Sequence, residues 1–219
     1  MNSKDVIRAR REREKQHRID TILNSAQKVF FEKGFIKATM DEIALGAEIS
    51  KPTIYQYFDN KEDLFLSFSL PIIEQIHESM LAIEQLLEDN KILNAQHLFQ
   101  EIFNCYFLVY KNSPEMFSVL QVFQETKLLF GLGTQIKDEI IKKGRENYTS
   151  LRRVLSKAMA LAIIKKCDPF PLADLVWATT VGIIQVEDIK GDSERNHKFK
   201  KVAFAKAVEV YAVSLAPQN

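Results

Sequence analysis

Three helix-start signals crowd into one short stretch, Thr39 to Phe65, and they leave room for little except short helices meeting at tight turns. Thr39-Met40-Asp41-Glu42 is a capping box, in which a threonine oxygen and a glutamate carboxylate satisfy free amide donors at a helix start. Ile43, Ala44 and Ala47 then give that short helix one apolar side. Ser50-Lys51-Pro52 is a second start: serine is the N-cap, and proline stands in the first turn, where its missing N–H costs nothing. Asn60, with Asp63 three residues on, opens a third helix. Two short helices with about four residues between them have the geometry of a helix-turn-helix, which puts its second helix into a DNA major groove. Spacing alone also allows an ordinary helical hairpin whose tyrosines merely cover the core.

The second helix can be read face by face. Ile54 and Phe58 are four apart and share one side, which must be the buried one. Gln56 points almost directly away from that pair, with Pro52 and Thr53 flanking it and Tyr55 and Tyr57 to either side. Gln pairs bidentately with adenine, and Thr bonds a base edge or touches a thymine methyl. Lys51, Tyr55, Tyr57 and Lys61 suit phosphate oxygens, which fix register without reading sequence.

The run Ser50-Lys51-Pro52-Thr53-Ile54-Tyr55-Gln56-Tyr57-Phe58, followed by Asn60-Lys61-Glu62-Asp63-Leu64, resembles the DNA-binding signature of the TetR family of transcriptional regulators. Phe30-Phe31-Glu32-Lys33-Gly34-Phe35 and Thr39-Met40-Asp41-Glu42-Ile43-Ala44 are similar to the same pattern, so the likeness spans about residues 18 to 68. It implies DNA contacts at Thr39, Ser50, Lys51, Pro52, Thr53, Tyr55, Gln56, Tyr57 and Lys61. It also implies a helical effector-binding and dimerising domain beyond. One position departs: the family usually has glycine where this chain has Glu48. A left-handed turn there costs a Glu about 1 kcal/mol.

The expected fold is therefore all-α, with about nine helices. Residues 1–68 would form the helix-turn-helix domain with a basic N-terminal arm, and 69–219 the effector-binding and dimerisation domain. Seven glycines, six prolines and no β-type alternation agree with helices almost throughout. Ile19, Ile22, Leu23, Ala26, Val29 and Phe30 form a stripe ended by Gly34 at a natural C-cap. Pro71 should bend the long helix that begins near Asn60, either as a passive kink or as a hinge. Ser113-Pro114-Glu115 and Asp168-Pro169 are further starts. Gly131-Leu132-Gly133 precedes a helix running to about Lys166, and Ile189-Lys190-Gly191-Asp192-Ser193 separates the last two helices.

Charge is informative only in its distribution. Residues 1–60 hold 11 Lys/Arg against 9 Asp/Glu, and the remaining chain 19 against 20. Lys4, Arg8, Arg10, Arg11, Arg13, Lys15 and Arg18 crowd the first 18 residues, against Asp5, Glu12 and Glu14. That segment reads either as an arm for phosphates or a minor groove, or as a solvated helical extension.

Phe204, Val208, Tyr211 and Leu215 make one apolar stripe, and Ala203, Ala207, Val210 and Ser214 a second. Leu172, Leu175 and Val176 beside Ala178, Thr179 and Gly182 repeat the arrangement. Helices about 169–188 and 194–215 are thus expected to form a homodimer's four-helix interface, the alternative being two central helices of a monomer core. Aromatic residues concentrate between: Phe99, Phe103, Tyr106, Phe107 and Tyr110, then Phe117, Phe123 and Phe130, with Trp177 later. Phe103, Phe107, Phe123 and Trp177 are candidates to line a site for a small apolar or aromatic effector, although aromatics at helical spacing are usually core.

Enzyme readings find no support. His17, His77, His97 and His197 are scattered without metal-ligand spacing, no Gly-rich phosphate loop or G-x-S-x-G elbow is present, and no cofactor or metal is expected. Cys105 and Cys167 do not form a C-x-x-C pair. No apolar stretch reaches the ~20 residues of a membrane span, and no signal-like segment follows the charged start, so a cytoplasmic protein is expected. The reading is a DNA-binding transcriptional regulator, with a repressor freed from a palindromic operator by its effector as the expected form. Against it stands a helical carrier or protein-interaction module that never touches DNA.

Overall fold

A computed structural model of the chain describes residues 3–112, 135–189 and 193–217. Eight helices occur among the described residues: α1 (Ser3–Lys37), α2 (Met40–Gly46), α3 (Lys51–Ile54), α4 (Lys61–Glu88), α5 (Ala95–Asn112), α6 (Gln135–Ala160), α7 (Pro169–Ile189) and α8 (Ser193–Ser214). No strand occurs among them, and the class is all-α as expected. The start expected at Ser113, the separator at Gly131 to Gly133, most of the separator at Ile189 to Ser193, and Phe117, Phe123 and Phe130 lie outside the described residues.

The described chain falls into two compact units, one of residues 3–69 and 135–138, the other of 70–112, 139–189 and 193–217. The division lies within α4, next to Pro71, which is exposed and sits inside a helix assigned without interruption. In the first unit, α1 is helical up to Gly34, whose φ of 74° turns the chain where the sequence placed a C-cap. The core comprises Ile22, Ala26 and Phe30 of α1, Ile43 and Ala44 of α2, Ile54 of α3, and Leu64 and Phe65 of α4. The rings of Phe30, Phe35 and Phe65 meet pairwise, with centres 5.4–5.8 Å apart and mostly edge-on, the arrangement aromatic quadrupoles favour.

Three helices end by one device. Glu48, Asn90 and Ala162 take left-handed φ of 55°, 54° and 54° just after α2, α4 and α6. In each case the next amide reaches back five residues, Ile49 to Ala44, Lys91 to Leu86 and Ile163 to Ala158, at 2.9–3.0 Å. This is the Schellman closure, usually built on glycine. It corrects the expectation that α6 runs to about Lys166: the helix stops at Ala160 because Ala162 reverses it.

In the second unit, α5 and α8 pack through Phe99, Phe103, Phe204 and Tyr211. A polar strip joins α4 to α6: Lys143 pairs with Glu74 at 2.6 Å, Arg153 with Glu84 at 2.7 Å, and Lys157 with both Glu84 and Glu88. Asn147 donates to the Ile73 carbonyl, and Ser150 lies 3.1 Å from His77 Nδ1. The α8 stripe of Phe204, Val208 and Leu215 is buried, while Val202, Val210 and Val213 are exposed. On α7, Leu172 and Val176 are buried but Leu175 faces outward, as do Phe170 and Val186. Pro169–Val186 of α7, 18 residues with mean hydropathy 1.3, is by length and composition long and apolar enough to cross a membrane, against the expectation that no apolar stretch reaches such a length.

Candidate nucleic-acid interface

The first unit builds its helix-turn-helix from the caps outward. The Thr39 hydroxyl accepts from the Glu42 amide at 3.3 Å, and Glu42 Oε2 accepts from the Thr39 amide at 3.1 Å, closing the capping box. Glu42's second oxygen takes Lys33 of α1 at 2.7 Å, and these bonds hold its carboxyl below the usual carboxylate range. Ser25 Oγ donates to the Ile43 carbonyl at 2.8 Å, so α1 and α2 are joined at the backbone. Gly46 makes that approach possible, because a Cβ there would stand 2.5 Å from Ser25 Oγ.

Ser50 caps α3 as expected, its hydroxyl accepting from the Thr53 amide at 3.3 Å and meeting Thr53 Oγ1 at 2.7 Å. The helix is shorter than its side-chain pattern predicts, ending at Ile54. Residues 56 and 57 continue it as a tighter turn, with amides bonding three residues back, Gln56 to Thr53 and Tyr57 to Ile54. The sidedness survives the tightening. Ile54 is fully buried and Phe58 nearly so, while Pro52, Tyr55 and Gln56 are exposed and Thr53 and Tyr57 half-buried.

Lys51 is exposed and paired with Asp41 at 2.8 Å, which holds its ammonium above the ordinary lysine range. Lys61 differs from the sequence reading, which gave it a phosphate. Its Nζ turns inward to donate to the carbonyls of Phe35 at 2.8 Å and Ala38 at 3.0 Å, and lies 4.6 Å from the Phe35 ring centre. A cation there neutralises carbonyls left over at the end of α1.

The candidate effector residues fall into two groups. Phe103 is buried against Phe99, Phe204 and Tyr211, and half-buried Phe107 joins it through Phe204 at 5.7 Å. Trp177 stands apart on α7, between Tyr106 at 5.6 Å and Tyr148 at 6.3 Å. Phe123 lies outside the described residues. Two cations near these rings escaped the sequence reading. Arg152 lies over Phe170 at 4.4 Å, and Lys200, fully buried, donates to the Tyr110 hydroxyl. The signal for Lys200 was present: it stands four residues before Phe204 on the buried stripe of α8.

A capped reading helix with an exposed polar side, seated on a three-helix core, defines a helix-turn-helix DNA-binding regulator. Residues 22–68 match the bacterial regulatory proteins of the tetR family. Over 194 residues the chain is 25% identical to the uncharacterized HTH-type transcriptional regulator YhgD of Bacillus subtilis, covering 88% of this chain and 93% of that one. Over 138 residues it is 26% identical to IcaR of Staphylococcus epidermidis, the negative regulator of a biofilm operon, covering 56% of this chain and 67% of that one. Among solved structures, FadR from Bacillus subtilis in complex with stearoyl-CoA superposes with a TM-score of 0.64 at 17% identity, covering 88% of this chain and 96% of that one. Residues 22–68 are thus a TetR-type DNA-binding segment, most of the chain is similar to an HTH-type transcriptional regulator, and the family matched is one of DNA-binding regulators, not of enzymes.

Proposed function

We propose that this regulator is a repressor whose dimer grips a palindromic operator and releases it when a small apolar or aromatic effector binds. The observation that carries the DNA half is the exposed set Pro52, Tyr55 and Gln56 beside buried Ile54 and Phe58, a short capped helix that holds an aromatic ring and an amide out toward solvent. In this reading Thr53 and Gln56 contact base edges. Thr39, Ser50, Lys51, Pro52, Tyr55 and Tyr57 contact the sugar–phosphate backbone. Lys61 supports the surface from behind, through Phe35 and Ala38. Dimerisation through α7 and α8 is supported by the apolar side chains they leave exposed, Leu175, Val186, Val202, Val210 and Val213. Two copies then present paired α3 helices about 34–36 Å apart, or a multiple. IcaR supports the repressing sense, and the stearoyl-CoA of FadR makes acyl-CoAs worth screening beside aromatic compounds. A protein that acts on operator DNA works in the cytoplasm, not in a membrane.

The test is equilibrium binding to duplexes selected by the wild-type protein from a random pool, measured over a salt series. Thr53→Ala and Gln56→Ala should each cost about 1–3 kcal/mol on the selected site and little on unrelated duplexes. A protein that binds no duplex at low salt would return the chain to the carrier or interaction-module reading.

A further inference from the structure

The N-terminal part of α1 carries a second surface, distinct from the reading helix. Arg8, Arg11, Lys15 and Arg18 recur at intervals of three, four and three residues. At 100° per residue they fall within about 80° of one another on one side of the helix. All four are exposed, and among the described residues none has an ion pair or side-chain hydrogen bond. The cation on another side is treated differently: Arg10 is held by Glu14 at 2.7 Å, and nearby Gln16 by Asp20 at 2.9 Å. Glu12 and Glu14 border the stripe, one at each edge and each about 40° away.

The phase of the stripe matters more than its charge. Continuing the same interval from Arg18 gives Ile22, Ser25 and Val29, then Lys33. These belong to the side of α1 that carries α2: Ile22 is fully buried, Ser25 bonds the Ile43 carbonyl and Lys33 pairs with Glu42. Since α1 is helical throughout up to Gly34, that register holds from Arg8 to Lys33. The face that grips the helix-turn-helix therefore runs on past it toward the N-terminus, where its apolar residues give way to cations. Neighbours at i, i+3 and i, i+4 with like charge repel weakly along a helix, an effect Glu12 and Glu14 offset in part, so an anionic partner laid along the row relieves what remains. Its length, about 15 Å from Arg8 to Arg18, spans several phosphates of one duplex flank.

The geometry points to Arg8, Arg11, Lys15 and Arg18 as an electrostatic rail that lies along the phosphate backbone flanking the site read by α3. This rests on the proposed DNA-binding function. The rail adds affinity and salt dependence without adding sequence preference.

The experiment compares two double substitutions of equal charge in the full-length protein: Arg8→Gln/Lys15→Gln on the stripe, and Arg10→Gln/Arg13→Gln off it. Binding to a wild-type-selected duplex and to an unrelated duplex is measured over a salt series. The stripe pair should flatten the plot of log K against log salt by about 1.8 per subunit, at about 0.9 for each phosphate that is no longer neutralised. It should weaken both duplexes by the same factor, while the off-stripe pair flattens the slope by much less. Shortening a selected duplex to its read bases alone should abolish the difference between the pairs. Equal slopes for wild type and stripe pair, with sequence preference intact, overturn the rail and leave the DNA reading standing. An off-stripe pair as damaging as the stripe pair overturns it too, since the arm would then act as a diffuse charge. Wild-type protein that binds phosphatidylserine vesicles through the stripe but not duplex flanks overturns it in favour of lipid. Wild-type protein that binds no duplex overturns rail and DNA reading together.

Discussion

Replacing Lys61 with methionine keeps the apolar stem and removes the ammonium, which separates two jobs a lysine at the start of α4 could do. In the intact protein Nζ donates to the Phe35 and Ala38 carbonyls at 2.8 and 3.0 Å and rests 4.6 Å from the Phe35 ring centre. A charged donor to a carbonyl contributes about 1.5 kcal/mol at the low end. A cation–π contact with partial exposure adds about 0.5 kcal/mol. Water can reach one carbonyl once the ammonium is gone, and Lys61 is only half-buried, so the expected loss on Lys61→Met is about 2 kcal/mol rather than the full sum. Urea unfolding should show it as a lower midpoint at unchanged slope. Lys61→Arg, which keeps a charged donor, should recover part of the loss. Duplex affinity should fall, because the α1–α2 turn that carries Thr39 is loosened, yet the salt slope should stay within error of wild type. A Lys61→Met protein as stable as wild type, but with a salt slope flatter by about 0.9, would refute the inward clamp and return the ammonium to a phosphate.

Four further substitutions and one labelling experiment follow from the same geometry. Gly46→Ala sets a Cβ 2.5 Å from Ser25 Oγ, whose rotation would break its bond to Ile43, so a loss of about 1–2 kcal/mol is expected after the helix-propensity gain of alanine. Ser25→Ala should restore most of that stability in the double variant, because the next contact, to Ser25 Cβ, is an ordinary 3.6 Å; strictly additive costs would contradict the collision. Glu48→Gly removes the strain of a φ of 55° at some cost in unfolded-state entropy and should raise stability by about 0.5–1 kcal/mol, whereas Glu48→Val should lower it; equal urea midpoints for the two would count against the left-handed turn. Iodoacetamide at neutral pH should modify Cys167, which is exposed, and spare Cys105, whose thiol burial pushes up to about 11; equal labelling of both by mass spectrometry would show that α5 opens readily.

The first unit was legible because its information is local. Thr39, Ser50 and Asn60 act on amides two or three residues away, and all three accept the bonds their spacing promised. The turn at Glu48 came instead from the resemblance, which puts glycine there, and the chain keeps the positive φ with Glu in its place. Lys61 was not, because a long cationic side chain has partners available in several directions. Only the packing of Phe35 beside α4 decides that it turns inward. The stop at Ala162 was hidden by the lack of glycine or proline where the helix closes. In the second unit, aromatic spacing marked a crowded region but could not separate the Phe103 cluster from the Trp177 cluster. Both lie on helices with more than one apolar side.

The pair between Lys51 and Asp41 has a bearing on discrimination. In the proposed DNA reading Lys51 arrives with its own anion, so a phosphate that takes its ammonium has to compete with the Asp41 carboxylate held on the neighbouring helix. Once evicted, Asp41 is left close to the incoming backbone and pushes against it. Both side chains are exposed, so in that reading the penalty on loose association with any nucleic acid is at most about 1 kcal/mol. A fragment that also satisfies the bases can outbid the internal partner.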